Sequence, residues 1–405
     1  MFSRRSDFGR EKNRLTLAHH KRLRAGDAIC DLTLSNPTTE GLLELPGHSA
    51  ALKALADARG RHYRPHALGL PEAREALAER LADWGPRPEA HRLVLTASTS
   101  EAYAFAMQLF CDAGDGLLIP RPSYPLLDGL CQLEAVRPQP YALAYDGRWH
   151  LQPSALRAAL DASSRAAVAI HPNNPSGSLF DAEGAAALAA LELPVISDEV
   201  FAPYPLEAAR CSALRELLPA SSLCLTLHGL SKLGALPQLK LSSIVLSGPD
   251  AQVEEALERL ESIADNFLSV STPVQLALPA ILEQLPQTVS TIGERVRGNL
   301  RRLKSRCEGS AVSVLHAEAG WSAVLRLPAL LDDEGWALDL LEHAATLVQP
   351  GYFYDLQGGP YLVVSLLPRS RDFEGGIDRL LERVNHHCRP EAKGSGPSGR
   401  QPGIR

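Results

Sequence analysis

Six short apolar runs, separated by polar and helical segments, restrict the fold of this 405-residue chain more than any other feature. Segments with a helical composition, such as 98–111 and 182–191, lie between several of the runs. Alternation of buried strands with helices is typical of a mainly parallel sheet that helices cover on both faces. The sequence therefore predicts an α/β fold for the larger part of the chain. The six runs cover residues 92–96, 116–120, 166–170, 194–197, 222–226 and 243–247.

The chain changes character after Pro273. A long helical stretch through about Arg306 precedes two strand-like segments, 323–327 and 361–365, and an amphipathic helix over 373–385. This pattern predicts a second, smaller α+β domain. The last residues are rich in Gly, Ser and Pro, which is typical of disorder. The predicted parts are an N-terminal arm with a small-domain segment (1–45), a large domain (46–272), a small C-terminal domain (273–388) and a disordered tail (389–405).

The composition excludes several classes of protein. With 45% apolar and 22% charged residues the chain has the profile of a soluble globular protein. No apolar run approaches the roughly 18 to 20 residues that span a bilayer. The net charge of −6 and the scattered basic residues give no nucleic-acid-binding surface. We therefore expect neither a membrane nor a nucleic acid as partner.

The seven cysteines and the N-terminus indicate a cytoplasmic protein. The cysteines are widely spaced and include no C-x-x-C pair, which argues against a disulfide framework and against a zinc site. The basic N-terminal segment lacks the apolar stretch of a secretory signal. We interpret it as a helical arm of the mature protein.

Polar side chains follow four of the apolar runs at the point where each predicted strand ends. They are 98–100 after the first run, 121–124 after the second, 171–174 after the third and 198–199 after the fourth. Sites in parallel sheets lie beyond the carboxyl ends of the strands. The four polar segments are therefore expected to meet in one crevice.

One lysine has an unusual setting. Lys232 directly follows Ser231 and lies among small and apolar residues over 227–240. Burial disfavours the ammonium form and lowers the pKa of a lysine, which makes the amine a nucleophile able to form an imine with an aldehyde. Taken alone, a solvated surface lysine is the commoner interpretation.

Taken in order, these motifs resemble the fold type I pyridoxal-phosphate enzymes, specifically the class I/II aminotransferases. The resemblance runs from about Asp31 to Val384. Its most specific part is the order of His171-Pro-Asn-Asn-Pro-Ser-Gly177, Asp198-Glu199 and Ser231-Lys232, with separations of 24 residues (174 to 198) and 34 residues (198 to 232).

The resemblance implies roles for the residues around the ring of pyridoxal 5′-phosphate. Lys232 would form an aldimine with the cofactor and move the substrate proton. Asp198 would hold the pyridine nitrogen protonated, which makes the ring an electron sink. Asn174 would hydrogen-bond the phenolic oxygen, and Tyr124 would stack on the ring. Phe201 stands where the family has a second phenolic donor, so Asn174 is the main donor unless Tyr204 contributes.

The resemblance also implies a phosphate site and a dimer. A helix N-terminus is a natural anion site, and Ser98, Thr99 and Ser100 occupy the family's phosphate-binding turn. Tyr63 would reach the phosphate of a partner subunit, which implies a homodimer. Further phosphate ligands would be Ser231 and Lys240, and the substrate would contact Asn36 and Tyr352.

Each of these residues also has a structural alternative. Ser98 is compatible with an ordinary helix N-cap, Tyr63 and Tyr124 with packed tyrosines, Asn174 with a rigid turn, and Asp198 with a helix cap. Only the combination of motifs favours the cofactor site.

Besides Phe201, two positions depart from the family. Lys240 stands where an arginine commonly binds the phosphate, so the charge is kept and the bidentate geometry is lost. Val363 stands where an arginine binds the substrate α-carboxylate. Either another cation replaces that arginine or the substrate is not a simple α-amino acid. The candidate cations are Arg64, Arg326 and Arg369.

The sequence thus predicts a cytoplasmic, homodimeric aminotransferase that uses pyridoxal phosphate to move an amino group between an amino acid and a 2-oxo acid. Two alternatives stay open. A C–S β-lyase, racemase or decarboxylase would share the fold and the cofactor, and a non-catalytic protein would only bind the cofactor.

Overall fold

The computed structural model describes residues 1–9, 12–42, 49, 52–207 and 210–389. Fourteen strands and thirteen α-helices are described in these residues. The strands are β1 (Cys30–Asp31), β2 (Leu93–Thr96), β3 (Gly116–Arg121), β4 (Arg137–Tyr145), β5 (Trp149–Leu151), β6 (Ser164–Ile170), β7 (Val195–Asp198), β8 (Cys224–Gly229), β9 (Ser242–Ser247), β10 (Ser313–Val314), β11 (Ser322–Arg326), β12 (Thr346–Leu347), β13 (Gln349–Pro350) and β14 (Tyr361–Ser365).

The helices follow the same chain order. They are α1 (Arg14–Arg24), α2 (Pro71–Leu81), α3 (Thr99–Phe110), α4 (Leu126–Glu134), α5 (Pro153–Ala159), α6 (Ala182–Ala189), α7 (Leu214–Leu217), α8 (Leu230–Leu233), α9 (Asp250–Asp265), α10 (Thr272–Glu283), α11 (Leu285–Cys307), α12 (Asp333–Ala344) and α13 (Ser370–Cys388). Within the described ranges none of them is long and apolar enough to cross a membrane.

The larger sheet has eight strands in the order β2-β9-β8-β7-β6-β3-β4-β5. The pairs β4/β3, β3/β6, β6/β7 and β7/β8 are parallel, whereas β9 and β5 are antiparallel to their neighbours. All six apolar runs of the sequence form strands of this sheet. The predicted α/β fold with a mainly parallel sheet is therefore confirmed.

The strand β4 was not predicted, because it carries two prolines that usually interrupt strands. It pairs with β3 over residues 137–142, with Leu117 opposite Pro138 and Ile119 opposite Pro140. The neighbour on its other side, β5, covers only residues 143–145. The proline positions therefore lie on a free edge of the sheet, where a missing N–H group breaks no pairing.

Both faces of the large sheet are covered, which agrees with the continuous apolar runs. Along β6 the side chains alternate between the two sides, since successive residues of a strand point to opposite faces. Ala166, Val168 and Ile170 pack in one cluster with residues of α3, α4 and α9. Ala167 and Ala169 pack in another with residues of α5, α6 and α7. These strands therefore form the rigid centre from which the functional side chains project.

A smaller sheet, β10-β11-β14-β13, is entirely antiparallel. It packs on α11, α12 and α13 in a cluster that includes Val296, Trp336 and Phe373. A separate parallel pair, β1/β12, joins the N-terminal segment to this part of the molecule. The smaller α+β part is thus present.

The long helical stretch after Pro273 is two helices rather than one. The first, α10, packs against α2 with Leu278 beside Leu93 and Val245 of the large sheet. The second, α11, belongs to the cluster of the small sheet. The domain boundaries stay predictions. Residues 10–11 and 43–45 of the arm, 46–48, 50–51 and 208–209 of the large domain and 390–405 of the tail lie outside the described residues.

Candidate active site

One cavity of about 380 Å³ lies at the carboxyl edge of the large sheet, between it and the small sheet. The carboxyl ends of β2, β3, β6, β7 and β8 and the amino end of β9 meet at this edge. The polar segments that follow the strands are thereby brought together, as the topology requires. The predicted residues that line the cavity are Ser98, Thr99, Ser100, Tyr124, Asn174, Asp198, Phe201, Ser231, Lys232 and Lys240.

Asp198 is the last residue of β7, and both of its carboxylate oxygens are held. The Val200 N–H donates to Oδ1 at 3.1 Å and the Tyr103 hydroxyl donates to Oδ2 at 2.9 Å. Burial raises the pKa of this carboxyl, against the two hydrogen bonds and the positive charge of Lys232, which lower it. A cationic group on the cavity side would stabilise the ionised carboxylate.

Lys232 lies in α8, the single helical turn that follows β8. Burial lowers the pKa of its ammonium group from 10.5 to about 8, although the negative charge of Asp198 opposes the change. The Nζ atom lies 5.0 Å from the ring centre of Trp321 and 5.5 Å from that of Phe201. A neutral amine is therefore available near physiological pH, where an ordinary lysine is almost fully protonated.

A corner of the cavity that is rich in hydroxyl groups lies where α3 begins. Ser98 is the N-cap of this helix, and its Oγ accepts the Glu101 N–H at 3.1 Å. The other N–H groups of the first turn have no acceptor within the helix. A Cβ placed on Gly229 would come to 2.7 Å from Thr99 Oγ1, 3.1 Å from Ser242 Oγ and 3.4 Å from Ser231 Oγ.

Three hydroxyl groups thus surround one glycine beside a helix N-terminus. Such donors and the positive end of the helix dipole together favour an anion. Lys240, which lies on the exposed rim of the cavity, adds a positive charge. Ser98 is thus an ordinary helix N-cap and also lines the cavity.

Asn174 is oriented by the small sheet. Its Oδ1 accepts a hydrogen bond from Ser322 Oγ at 3.3 Å, so its amide N–H groups are available to the cavity. Tyr204 is not available, because its buried hydroxyl donates to the Lys232 carbonyl at 2.6 Å. The suggestion that Tyr204 supplies a second donor is therefore corrected.

Three predicted site residues do not line the cavity. Tyr63 is 79% exposed and lies with Arg64 beside a separate pocket. Asn36 accepts hydrogen bonds from the backbone N–H and hydroxyl of Thr38 in a local turn. Tyr352 is 42% exposed and contacts Glu334. Within this chain the substrate-contacting roles of Asn36 and Tyr352 have no geometric support.

None of the three candidate arginines reaches the cavity. Arg64 lies beside the pocket of Tyr63, Arg326 is exposed at the end of β11, and Arg369 lies against Gly41. Within the described residues, the cationic side chains that line the cavity are Lys232 and Lys240. The position expected for a carboxylate-binding arginine is the buried Val363.

Sequence reasoning did not identify several cavity residues, among them Tyr103, Ser242, Trp321, Ser322 and Gln349. Ser242 directly precedes a predicted strand, and Tyr103 lies in the helix that follows the phosphate-binding turn, so both carried a signal. The other three come from the small sheet and its neighbouring loops. Only the packing of the two sheets brings them to the cavity.

The fold and the cavity define an α/β protein with a lysine of lowered pKa, a buried carboxylate and a cluster of hydroxyl groups beside a helix N-terminus at one sheet edge. The sequence profile of the family described as aminotransferase class I and II matches residues 29–363. The chain belongs to this family, and the prediction of an aminotransferase is confirmed. Class I and II aminotransferases are pyridoxal-phosphate enzymes that act on amino acids and 2-oxo acids.

Individual relatives agree with this assignment. An alanine aminotransferase of Mycobacterium tuberculosis is 27% identical over 378 residues, which cover 89% of this chain and 87% of that protein. A glutamate-pyruvate aminotransferase of Haemophilus influenzae is 25% identical over 382 residues, or 89% and 92% of the two chains. The fold is shared with the alanine aminotransferase of Pyrococcus furiosus, with a TM-score of 0.86, 22% identity and coverage of 95% and 100%.

Proposed function

We propose that this aminotransferase binds pyridoxal 5′-phosphate through Lys232 and uses the same lysine as the proton-transfer group. The observation that carries the proposal is the placement of Lys232 and Asp198 on one cavity whose far corner is the hydroxyl cluster around Gly229. An amine, a carboxylate and an anion site match the aldehyde, ring nitrogen and phosphate of the cofactor. When bound, the cofactor supplies an electron sink for the carbanion at the substrate α-carbon.

The end of the site that would hold the pyridine ring of the cofactor depends on Asp198. Its carboxylate is fixed by Tyr103 and the backbone of residue 200, so little reorganisation is needed when a cation approaches. A protonated ring nitrogen would supply the positive charge that this partly desolvated carboxyl lacks. Asn174 would donate its amide N–H to the phenolic oxygen, since its own oxygen is held by Ser322.

Lys232 is suited to proton transfer because its pKa of about 8 lies near the operating pH. A lysine with an ordinary pKa would hold its proton too tightly to act as a base. The Nζ atom lies beside the aromatic rings of Phe201 and Trp321, and burial of the ammonium group lowers its pKa.

The end of the site that would hold the cofactor phosphate requires only hydrogen-bond donors and positive charge. The first turn of α3 supplies N–H groups, Thr99, Ser231 and Ser242 supply hydroxyls, and Lys240 supplies the charge. These contacts fix the cofactor while the chemistry takes place at its other end.

The test is the Lys232→Ala variant loaded with pyridoxal phosphate, with the exposed Lys21→Ala as the matched control. The wild type and Lys21→Ala should show the visible absorption of lysine-bound cofactor, and borohydride should fix the cofactor to the peptide that contains residue 232. Lys232→Ala should show neither. Unchanged absorption or labelling in that variant contradicts the site assignment.

A second experiment tests the reaction. A panel of amino acids with a 2-oxo acid acceptor should convert the acceptor into its amino acid in equal amount with the donor's 2-oxo acid. Release of ammonia without a new amino acid would instead indicate a lyase reaction.

We also infer a cytoplasmic homodimer. The exposed ring of Tyr63 supports a partner surface beside the pocket that it shares with Arg64. All seven cysteines are free thiols and four of them are buried, which suits a reducing compartment. Sedimentation should give twice the chain mass of 43.7 kDa, and a monomer at micromolar concentration would contradict the inference.

A further inference from the structure

Gln349 occupies a position on the cavity wall that nothing in the sequence indicated. Gln349 lies in β13 directly opposite Val363 of β14. Ser365 lies two residues after Val363 on β14. Residues two apart on a strand share a face, and so do directly opposed residues. Gln349, Val363 and Ser365 therefore point to the same side, and Gln349 and Ser365 line the cavity.

The side-chain amide of Gln349 has a fixed orientation. The Tyr354 hydroxyl donates a hydrogen bond to Gln349 Oε1. Burial raises the pKa of Tyr354, so this hydroxyl keeps its proton and acts as the donor. The amide nitrogen has two N–H groups, and no acceptor for them is found in the described part of the chain. Gln349 thus presents unused hydrogen-bond donors to the cavity.

Among the described residues, the cavity has no cationic side chain left to bind a substrate carboxylate, and the N–H groups of Gln349 can take this role. Within the described residues, its cationic side chains are Lys232 and Lys240, and the proposed function uses both for the cofactor. An amino acid brings a carboxylate next to the carbon that carries its amino group. A carboxylate removed from water needs hydrogen-bond donors or positive charge.

We propose that Gln349 is a specificity-determining residue that binds the substrate carboxylate through its amide N–H groups. This inference rests on the proposed function, because it concerns the substrate of the same site. Tyr354 positions the amide and does not itself need to touch the substrate. A neutral donor distinguishes a carboxylate from a carboxamide by only about tenfold, much less than a buried guanidinium would.

The test uses Gln349→Glu, which keeps an acceptor for the Tyr354 hydroxyl and replaces the donor by a negative charge. The best donor amino acid of the panel and its own α-carboxamide are compared in the wild type and the variant. With the amino acid, kcat/KM should fall on the order of 100-fold, mostly through KM, while with the carboxamide it should change by less than about threefold. Calorimetry should show a matching loss of 2-oxo acid binding.

The control is Gln287→Glu, the same chemical change on the exposed surface of α11, which should change neither substrate. An equal fall of kcat/KM for both substrates in Gln349→Glu would indicate a structural role and overturn the inference, and so would no change for either. Failure of the proposed function is distinguishable, because the wild type would then transfer no amino group at all.

Discussion

At the scale of single residues, Lys232 shows how an enzyme site conflicts with stability. Its ammonium form is disfavoured inside the cavity, with a pKa near 8 instead of 10.5. The unfolded chain therefore binds more protons between these two values, so stability rises with pH across that interval. The cost of burying the charge is fully present below about pH 8.

Lys232→Met should therefore stabilise the cofactor-free protein. At roughly 1.4 kcal/mol per pH unit, a pKa difference of about 2.5 units gives an upper limit of about 3.5 kcal/mol for the gain at pH 7, and the gain should shrink as the pH rises from 8 to 10.5. Urea unfolding at pH 7 and pH 10 measures this gain. Lys21→Met, an exposed substitution, should give less than about 0.5 kcal/mol, and a pH-independent gain at Lys232 would contradict the argument.

A second residue-scale prediction concerns Tyr103. Its hydroxyl donates to Asp198 and thereby lowers the pKa of that carboxyl, so Tyr103→Phe should raise this pKa. The acid limb of the kcat/KM profile of the loaded enzyme should then move to higher pH. Tyr141→Phe is a matched control, because the Tyr141 hydroxyl is equally buried but donates to the Val168 carbonyl.

Both tyrosine variants should lose about 1 kcal/mol of unfolding free energy, since each loses one buried hydrogen bond. Only Tyr103→Phe should alter the pH profile. Equal profiles in the two variants would show that Tyr103 has no influence on Asp198.

At the scale of elements, the beginning of α3 and the end of β8 meet in the corner that we propose as the phosphate site. Gly229 is required at their junction because a side chain there would enter the hydroxyl cluster, with 2.7 Å to Thr99 Oγ1. Its backbone φ of −144° is accessible to any residue. The glycine is therefore needed for space and not for backbone freedom.

Gly229→Ala should weaken cofactor binding by about tenfold, since the added methyl displaces a phosphate ligand, a change on the order of 1.4 kcal/mol. Fluorescence titration with pyridoxal phosphate measures the effect. Gly375→Ala in α13, where a Cβ meets nothing within 4 Å, should leave the affinity unchanged. An unaltered affinity in Gly229→Ala would exclude this corner as the phosphate site.

The elements that the sequence predicted correctly are those with strong local signals. Continuous apolar runs identified the inner strands, and polar residues after them identified the cavity edge, because both features depend on the chain itself. Tyr361–Ser365 was found for the same reason. The strand β4 was missed because its prolines are harmless only at a free edge. Gln349 was missed because its function depends on its pairing with Val363 across the sheet.

At the scale of the whole molecule, the cavity lies where the parts built on the large and the small sheet meet, and buried residues of both sheets, among them Ala167 and Val363, share one apolar cluster. Asn174 lies in the turn after β6 and Asp198 ends β7 of the large sheet, whereas Ser322 and Ser365 come from the small sheet. The hydrogen bond between Ser322 and Asn174 is one direct link across the cavity. A ligand that contacts both walls should therefore stabilise both parts.

Hydrogen exchange should show this coupling. Loading with pyridoxal phosphate should slow exchange in the peptides that contain β7 and β11 together, because a ligand that binds the native state suppresses opening of every part that forms its site. The hairpin of β4 and β5, which does not line the cavity, should change less. Protection confined to β7 would show that the small sheet does not contribute to binding.

The two prolines of β4 also affect how copies of the molecule meet at high concentration. The Arg137 N–H donates towards β3, so the backbone nitrogens of residues 138 and 140 face the open side of the sheet. Proline has no hydrogen on this atom. A strand from another chain would therefore find no donors at Pro138 and Pro140. The margin of the sheet is thus protected against the intermolecular strand pairing that leads to aggregation.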